Sequence, residues 1–412
     1  MTPAPSLSDR MAAFRWRPVR AYRTADAVQT RASNGPAAPG LGDTALRAEA
    51  QSVQAGKVSW MDELAANAGE VLPEAVAEYF RHGAGNEIAA REAAPAWDAM
   101  RLRPRILRDV SKCSTATTVL NTPVATPILV APTSLQRHAD PAGELATARG
   151  AASAGSLICV SSNSGTNFEA IGKAGVPWWL QIYVLRDRGL TLHLIQAAVA
   201  NGARALVLTA DAPVVGNKRG PGTAVWGLTP EEFLLANIER KGVAPEALDK
   251  ADDLGPECIG WLNQVGGVPV VVKGVLRGDD ASMCVKAGAA AVWVSNHGGR
   301  QLDRAVSTAR ALPEVASALI GTAAEVYVDG GLRSGEHVLS ALALGANAAF
   351  LGRPALWGLA TGGEEGVSQL LTTLTGELAE AMRLCGASSC SDLGADLVEP
   401  AGTTWSAPAG RP

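Results

Sequence analysis

The chain has 412 residues, of which 47% are hydrophobic and 18% charged, with a formal net charge of −4 at neutral pH. That is apolar material for a substantial core, in one large α/β domain or two to three ordinary ones. The charge balance lacks the basic excess of a nucleic-acid binder, and no apolar run approaches the roughly 18–20 residues that span a bilayer, so neither nucleic acid nor a membrane span is expected.

Residues 1–58 are rich in Ala, Pro and Arg and lack a sustained apolar period, as in MTPAPSLSDRMAAFRWRPVRAYRTADAVQTRASNGPAAPGLG. This composition fits a flexible or irregular extension, an arm wrapping a neighbour in an oligomer, or an Arg-rich, acid-poor targeting sequence. It contains no histidine and so cannot supply a bis-histidine haem site. Residues 59–400 are expected to form the folded domain, and 401–412 an irregular tail. Cys113, Cys159, Cys258, Cys284, Cys385 and Cys390 form no CxxC pair, and the five histidines are scattered. Reduced thiols, a cytoplasmic setting and no metal site are the expectation.

From about Thr126 the chain settles into a rhythm of short apolar runs, each ending in polar or glycine residues. The runs are PILVAPTS (127–134), SLICVSSNS (156–164), WWLQIYV (178–184), ARALVLTAD (203–211), PVVVKGV (269–275), AAVWVSNHGG (290–299), EVYVDGG (325–331) and AAFLGRP (348–354). Ala-rich helical stretches lie between them, among them 143–155, 187–203 and 334–346. Alternation of apolar strands with helices predicts a parallel sheet covered by helices. Eight such units, with no GxGxxG after any strand, predict a closed (β/α)8 TIM barrel. Chemistry in such barrels sits at the C-terminal strand ends. Those ends carry Ser134, Ser161, Gln181, Tyr183, Thr209, Asp211, Lys273, His297, Arg300, Asp329 and Arg353.

The sixth run leads into SNHGGRQLD (295–303), where a histidine and an arginine straddle two glycines. An imidazole can take a proton near neutral pH, and a guanidinium can grip a carboxylate with two hydrogen bonds. The seventh and eighth end in DGGLRSG (329–335) and LGRP (351–354). Their glycines free backbone N–H groups for an anion and their arginines add charge, in the position where these barrels bind phosphate.

With these motifs in view, the sequence resembles the FMN-dependent α-hydroxy-acid oxidase and dehydrogenase family, which includes glycolate oxidase, lactate oxidase and mandelate dehydrogenase. The resemblance runs from about Leu72 to Ala387 and rests on AEYFRHGAGNE (77–87), LRPRIL (102–107), APTSLQRHADPAGELATARGAA (131–152), KGVLRGDDA (273–281), SNHGGRQLD and VDGGLRSGEHVLSALALGA (328–346). It implies a barrel holding FMN, often in tetramers or octamers, that oxidises an (S)-2-hydroxy acid to a 2-keto acid and passes electrons to oxygen or another acceptor. By motif, Thr133, Ser134, Ser161, Gln181 and Thr209 would meet the isoalloxazine edge and ribityl chain, and Lys273 the flavin N1/C2 region. Ser295 would join them, and Asp329, Gly330, Gly331, Arg333, Gly352 and Arg353 would hold ribityl and phosphate. His297 matches the catalytic base, oriented by Asp211, whose carboxylate is expected to raise the imidazole pKa. Arg300 matches the carboxylate anchor, and Tyr79 and Tyr183 match tyrosines that hydrogen-bond the substrate, the second with a catalytic share.

Three positions depart from the pattern. GNKRG (216–220) puts Lys218, followed by Arg219, where the family has a second carboxylate-binding arginine, and a lysine cannot make the bidentate fork. Asn163 replaces a pocket tryptophan of glycolate oxidases, and Leu185 lies where relatives often have a tyrosine. Together these predict a substrate bulkier than glycolate or lactate. Two rival readings stay open: a tailoring flavoenzyme acting on an amino acid, ester or carrier-bound substrate, and an FMN-binding isomerase or inactive flavin binder.

Overall fold

The computed structural model describes residues 59–219, 221–238 and 243–400; the expectations for 1–58 and 401–412 lie outside them. Three helices come first: α1 (Trp60–Val71), α2 (Glu74–Arg81) and α3 (Ile88–Asp98). Ser59 caps α1, its hydroxyl accepting from the Asp62 N–H at 3.1 Å. A short strand, β1 (Met100–Leu102), and a hairpin of β2 (Thr117–Val119) and β3 (Thr122–Val124) follow. Leu120 and Asn121 join the hairpin strands with φ of 43° and 61°, the pair of left-handed residues that a two-residue turn requires. Val119 and Val124 are buried against the barrel interior, and the Leu120 N–H donates to Glu325 at 2.9 Å. The hairpin therefore plugs the end of the barrel opposite its catalytic mouth.

The barrel strands are β4 (Ile128–Val130), β5 (Ile158–Ser161), β6 (Trp178–Ile182), β7 (Ala203–Thr209), β8 (Val270–Val275), β9 (Ala291–Val294), β10 (Glu325–Val328) and β11 (Ala348–Leu351). Each pairs in parallel with the next, and β11 closes on β4. The predicted (β/α)8 barrel is the fold. Every strand is shorter than the apolar run that predicted it, and in most the residues beyond the ladder belong to the loop that follows. Between and after the strands come α4 (Glu144–Ser153), α5 (Phe168–Gly172), α6 (Arg188–Ala200), α7 (Glu257–Gly266), α8 (Gly278–Lys286), α9 (Thr308–Ala318), α10 (Gly335–Ala343) and α11 (Arg353–Leu384). A last strand, β12 (Val398–Pro400), pairs antiparallel with β1. No described helix is long and apolar enough to cross a membrane.

The two-residue period of each strand divides the core. Trp179, Trp293, Tyr327 and Phe350 point inward and pack as one aromatic layer, with the Trp293 and Phe350 rings 3.7 Å apart. Their neighbours Trp178, Val292, Val294, Val326 and Val328 point outward into the apolar faces of the surrounding helices. The barrel interior is thus solid, and an open cavity lies at the C-terminal strand ends.

Candidate active site

That cavity has a volume of about 400 Å³, and Phe350 forms part of its floor. Along one wall the strand ends carry a continuous hydrogen-bonded row. Ser134 Oγ lies 3.2 Å from Ser161 Oγ, Ser161 Oγ donates to Gln181 Oε1 at 3.1 Å, and Gln181 Nε2 donates to Thr209 Oγ1 at 2.9 Å. Thr133 Oγ1 is held by Gln136 Nε2 at 3.0 Å. The row places polar groups at fixed points around a flat, polar-edged ligand.

Beside the row, Lys273 Nζ lies 3.2 Å from Asp329 Oδ2 and 2.9 Å from Ser295 Oγ, which donates to Asp329 Oδ1 at 2.6 Å. Burial alone would pull the Lys273 pKa down, but the Asp329 and Asp211 carboxylates outweigh it and hold the ammonium above the ordinary lysine value. Ser295, expected against the cofactor, is fully buried and does not line the cavity. It stands behind, where its hydroxyl also accepts from the His297 N–H at 3.1 Å.

His297 sits on an unusual piece of backbone. It has φ 59°, and Gly298 and Gly299 follow with 64° and 72°. A left-handed histidine costs on the order of 1–3 kcal/mol, strain of the kind held at functional sites. Only glycine fits at 299, where a Cβ would come within 2.5 Å of the Ala90 nitrogen of α3. The imidazole reaches back to Asp211, Nδ1 to Oδ1 at 3.0 Å, and Nε2 has no hydrogen bond among the described residues. Asp211 Oδ2 is buried without a partner among the described residues. Burial would raise the Asp211 pKa, yet the His297 hydrogen bond and the His297 and Lys273 charges lower it overall. The expectation that the carboxylate raises the imidazole pKa is corrected: burial, then the Lys273 charge, outweigh Asp211 and push His297 below the ordinary value of 6.5. A neutral imidazole at neutral pH results, ready to accept a proton at Nε2.

Arg300 enters the cavity from the same turn. Its Nη1 donates to the Tyr79 and His82 carbonyls at 2.7 and 2.8 Å, and the guanidinium lies 4.7 Å over the Tyr79 ring. These contacts fix the fork without a carboxylate partner. Tyr183 and Asn163 line the cavity opposite, and burial, then the Asp211 charge, raise the Tyr183 phenol above the ordinary range. Lys218 faces inward and Arg219 does not: Lys218 lines the cavity, while Arg219 bonds Asn86 at 3.2 Å on the exposed side. Leu185 is corrected. It is buried and does not line the cavity, because the β6 ladder ends at Ile182 and the chain then pairs Leu185 with Lys250.

Gly330, Gly331, Gly352, Arg333 and Arg353 also line the cavity. Gly331 has φ 84°, and a Cβ there would come within 2.2 Å of the Ala93 carbonyl oxygen. Arg353 donates to the carbonyls of Phe80, Gly298 and His82, at 2.9, 2.9 and 3.2 Å. Arg333 donates to the Leu332 carbonyl at 2.7 Å and covers the Trp357 ring at 5.0 Å. Neither arginine has a carboxylate ion pair among the described residues. Burial pushes Arg333 down to about 10, and burial with the nearby Arg300 and Arg333 charges pushes Arg353 down to about 9. Two partly buried guanidiniums without a counter-charge fit a phosphate, and the polar row and Lys273 fit the rest of FMN.

Several lining residues escaped sequence reasoning, Trp226 and Lys250 among them. Trp226, from the 3-10 turn Pro221–Leu228, meets the Tyr79 ring edge-on at 5.3 Å. Its signal was a lone large aromatic in the Gly- and Pro-rich stretch GPGTAVWG. Lys250, whose Nζ lies 3.4 Å over the Tyr183 ring, had no local signal at all.

The chain is similar to known proteins over most of its length. Residues 68–400 match the family described as FMN-dependent dehydrogenase. The chain is 41% identical to the L-lactate oxidase of Nostoc sp. over 339 residues, covering 78% of this chain and 93% of that protein. It is 37% identical to 2-hydroxyacid oxidase 1 of Homo sapiens over 350 residues, covering 81% and 94%. Among solved structures it resembles a mandelate oxidase variant with (S)-mandelic acid, with TM-score 0.76, 35% identity and coverage of 83% and 98%. Another, with a C4a-OH-FMN adduct, gives TM-score 0.75 and 36% identity, with coverage of 82% and 98%.

Proposed function

The chain belongs to the FMN-dependent dehydrogenase family, and from that membership we propose that it oxidises a 2-hydroxy acid larger than glycolate or lactate, with His297 as the base. The enzyme uses FMN and acts on the CH–OH group of 2-hydroxy acids. When bound, FMN supplies the two-electron acceptor. The chain's own residues do the rest. Arg300 grips the C1 carboxylate with the part of its fork left free by the Tyr79 and His82 carbonyls. His297 Nε2 takes the proton, and Asp211 holds the ring and stabilises the cation that forms. Lys273 sets a fixed positive charge on the cofactor side, where negative charge develops.

The observation that carries the size reading is the cavity wall, to which Asn163, Val215 and Trp226 contribute alongside Arg300. Asparagine leaves room, and the apolar surfaces reward a side chain that fills it, by roughly 25 cal/mol per Å² of apolar area covered. Lys218 supports the same reading, since it offers a point charge and a small acid depends most on bidentate grips. The test is anaerobic mixing of the FMN-loaded enzyme with glycolate, lactate and 2-hydroxy acids of increasing chain length. Flavin bleaching by the longer acids at a higher second-order rate is expected. Fastest bleaching by glycolate would refute the size reading, and no bleaching by any acid would refute the function.

A further inference from the structure

Besides Lys273, which pairs with Asp329, and Arg333 and Arg353, given above to the FMN phosphate, the cavity holds three cations: Arg300, Lys218 and Lys250. None has a carboxylate ion pair among the described residues. The backbone around Lys250 is pinned to the end of β6. Ala251 N–H donates to the Val184 carbonyl and Arg186 N–H to the Asp249 carbonyl, each at 2.8 Å, and Leu185 pairs antiparallel with Lys250. The side chain then crosses the Tyr183 ring, with Nζ 3.4 Å from its centroid. A cation over an aromatic face is attracted to it, yet its charge is not cancelled.

The charges crowd one another. Burial, then the Lys218 charge, push Lys250 down to about 8, with only Asp211 pulling the other way. Burial, then the Arg300 charge, push Lys218 down to about 8. Three cations against the Asp211 carboxylate leave an excess of two positive charges, His297 being neutral. The C1 carboxylate of a 2-hydroxy acid answers one of them. The other matches a single further negative charge, as on a carboxylate, whereas a phosphate monoester brings roughly −1.5 to −2.

We infer that the substrate is a 2-hydroxydicarboxylic acid whose far carboxylate is held by Lys250 beside Lys218. This rests on the oxidation proposed above and specifies its substrate class. It also gives Lys218 a purpose: a compact ammonium can be shared between two carboxylates, where a planar fork commits to one.

The test compares 2-hydroxysuccinate, 2-hydroxyglutarate and 2-hydroxyadipate with the methyl-ended acids of equal chain length: 2-hydroxybutyrate, 2-hydroxyvalerate and 2-hydroxycaproate. Each is mixed anaerobically with the FMN-loaded enzyme, and the second-order rate of flavin bleaching is read. At least one dicarboxylate is expected to exceed its methyl-ended partner by about tenfold or more, the size of a charge-assisted contact. In Lys250→Met that ratio should fall to near one, and in Lys250→Arg it should persist, with the flavin spectrum checking that both variants fold. Methyl-ended acids that match or beat every dicarboxylate would overturn the inference and leave the proposed function standing. So would a dicarboxylate preference that survives Lys250→Met. Failure of every acid of both kinds to bleach the flavin would overturn the function and the inference together.

Discussion

His297 combines a strained backbone with a depressed pKa, and both follow from its surroundings. The left-handed turn at 297–299 aims the ring at Asp211, and burial with the Lys273 charge keeps it neutral. A base must be unprotonated to work. A pKa below 6.5 therefore keeps the proposed base competent as pH falls from neutral to that value. The acid limb of the second-order rate of anaerobic flavin reduction is expected to be centred below pH 6.5; a limb centred above pH 6.5 would contradict the assignment. The pair His297 and Arg300 was legible in the sequence because SNHGGRQLD packs both groups into one turn. The direction of the pKa shift was not legible. It depends on Lys273, from β8, and on how many elements bury the ring. Lys250 was illegible for a related reason: what places it is pairing with Leu185, a contact distant in sequence.

Among the elements, the loops after β10 and β11 show how a strand period exposes a binding site. The apolar runs marked where each strand ends, and the glycines and arginines just beyond marked an anion site, which the paired but uncompensated Arg333 and Arg353 then displayed. If these arginines hold the FMN phosphate, Arg353→Ala removes one charge-assisted grip worth roughly 1.5–3 kcal/mol. FMN dissociation is expected to strengthen by about tenfold to a hundredfold, measured by recovery of free-flavin fluorescence on dilution. Unchanged retention would place the phosphate elsewhere. Leu185 marks the limit of period-based reading. Residues two apart on a strand share a face only while the ladder lasts, and the β6 ladder ends at Ile182. The 3-10 turn Pro221–Leu228 was not anticipated either, since its stretch has neither helical nor strand period. It is set by packing on α2, where a Cβ at Gly222 would lie 2.9 Å from the Tyr79 nitrogen.

Only the closed barrel makes one site of these parts. Asp211 follows β7, Lys273 lies on β8, His297 and Arg300 follow β9, Asp329 follows β10, and Tyr79 comes from α2, which precedes the barrel. The eight-strand rhythm made that closure legible, because parallel strands buried on both faces read as unbroken apolar runs. Which residues meet across the mouth was legible only through family motifs, since no strand carries information about its distant neighbours. The aromatic layer of Trp179, Trp293, Tyr327 and Phe350 gives the assembled site a rigid floor, and the β2–β3 hairpin closes the barrel beneath it. The central claim is that this geometry makes His297 the proton acceptor in oxidation of a 2-hydroxy acid. The most direct test is anaerobic stopped-flow reduction of FMN-loaded His297→Ala by the best substrate of the parent enzyme. The variant is expected to keep its flavin and to be reduced more slowly by about 10²–10⁴, the usual worth of a general base. Reduction at the parent rate would contradict the account.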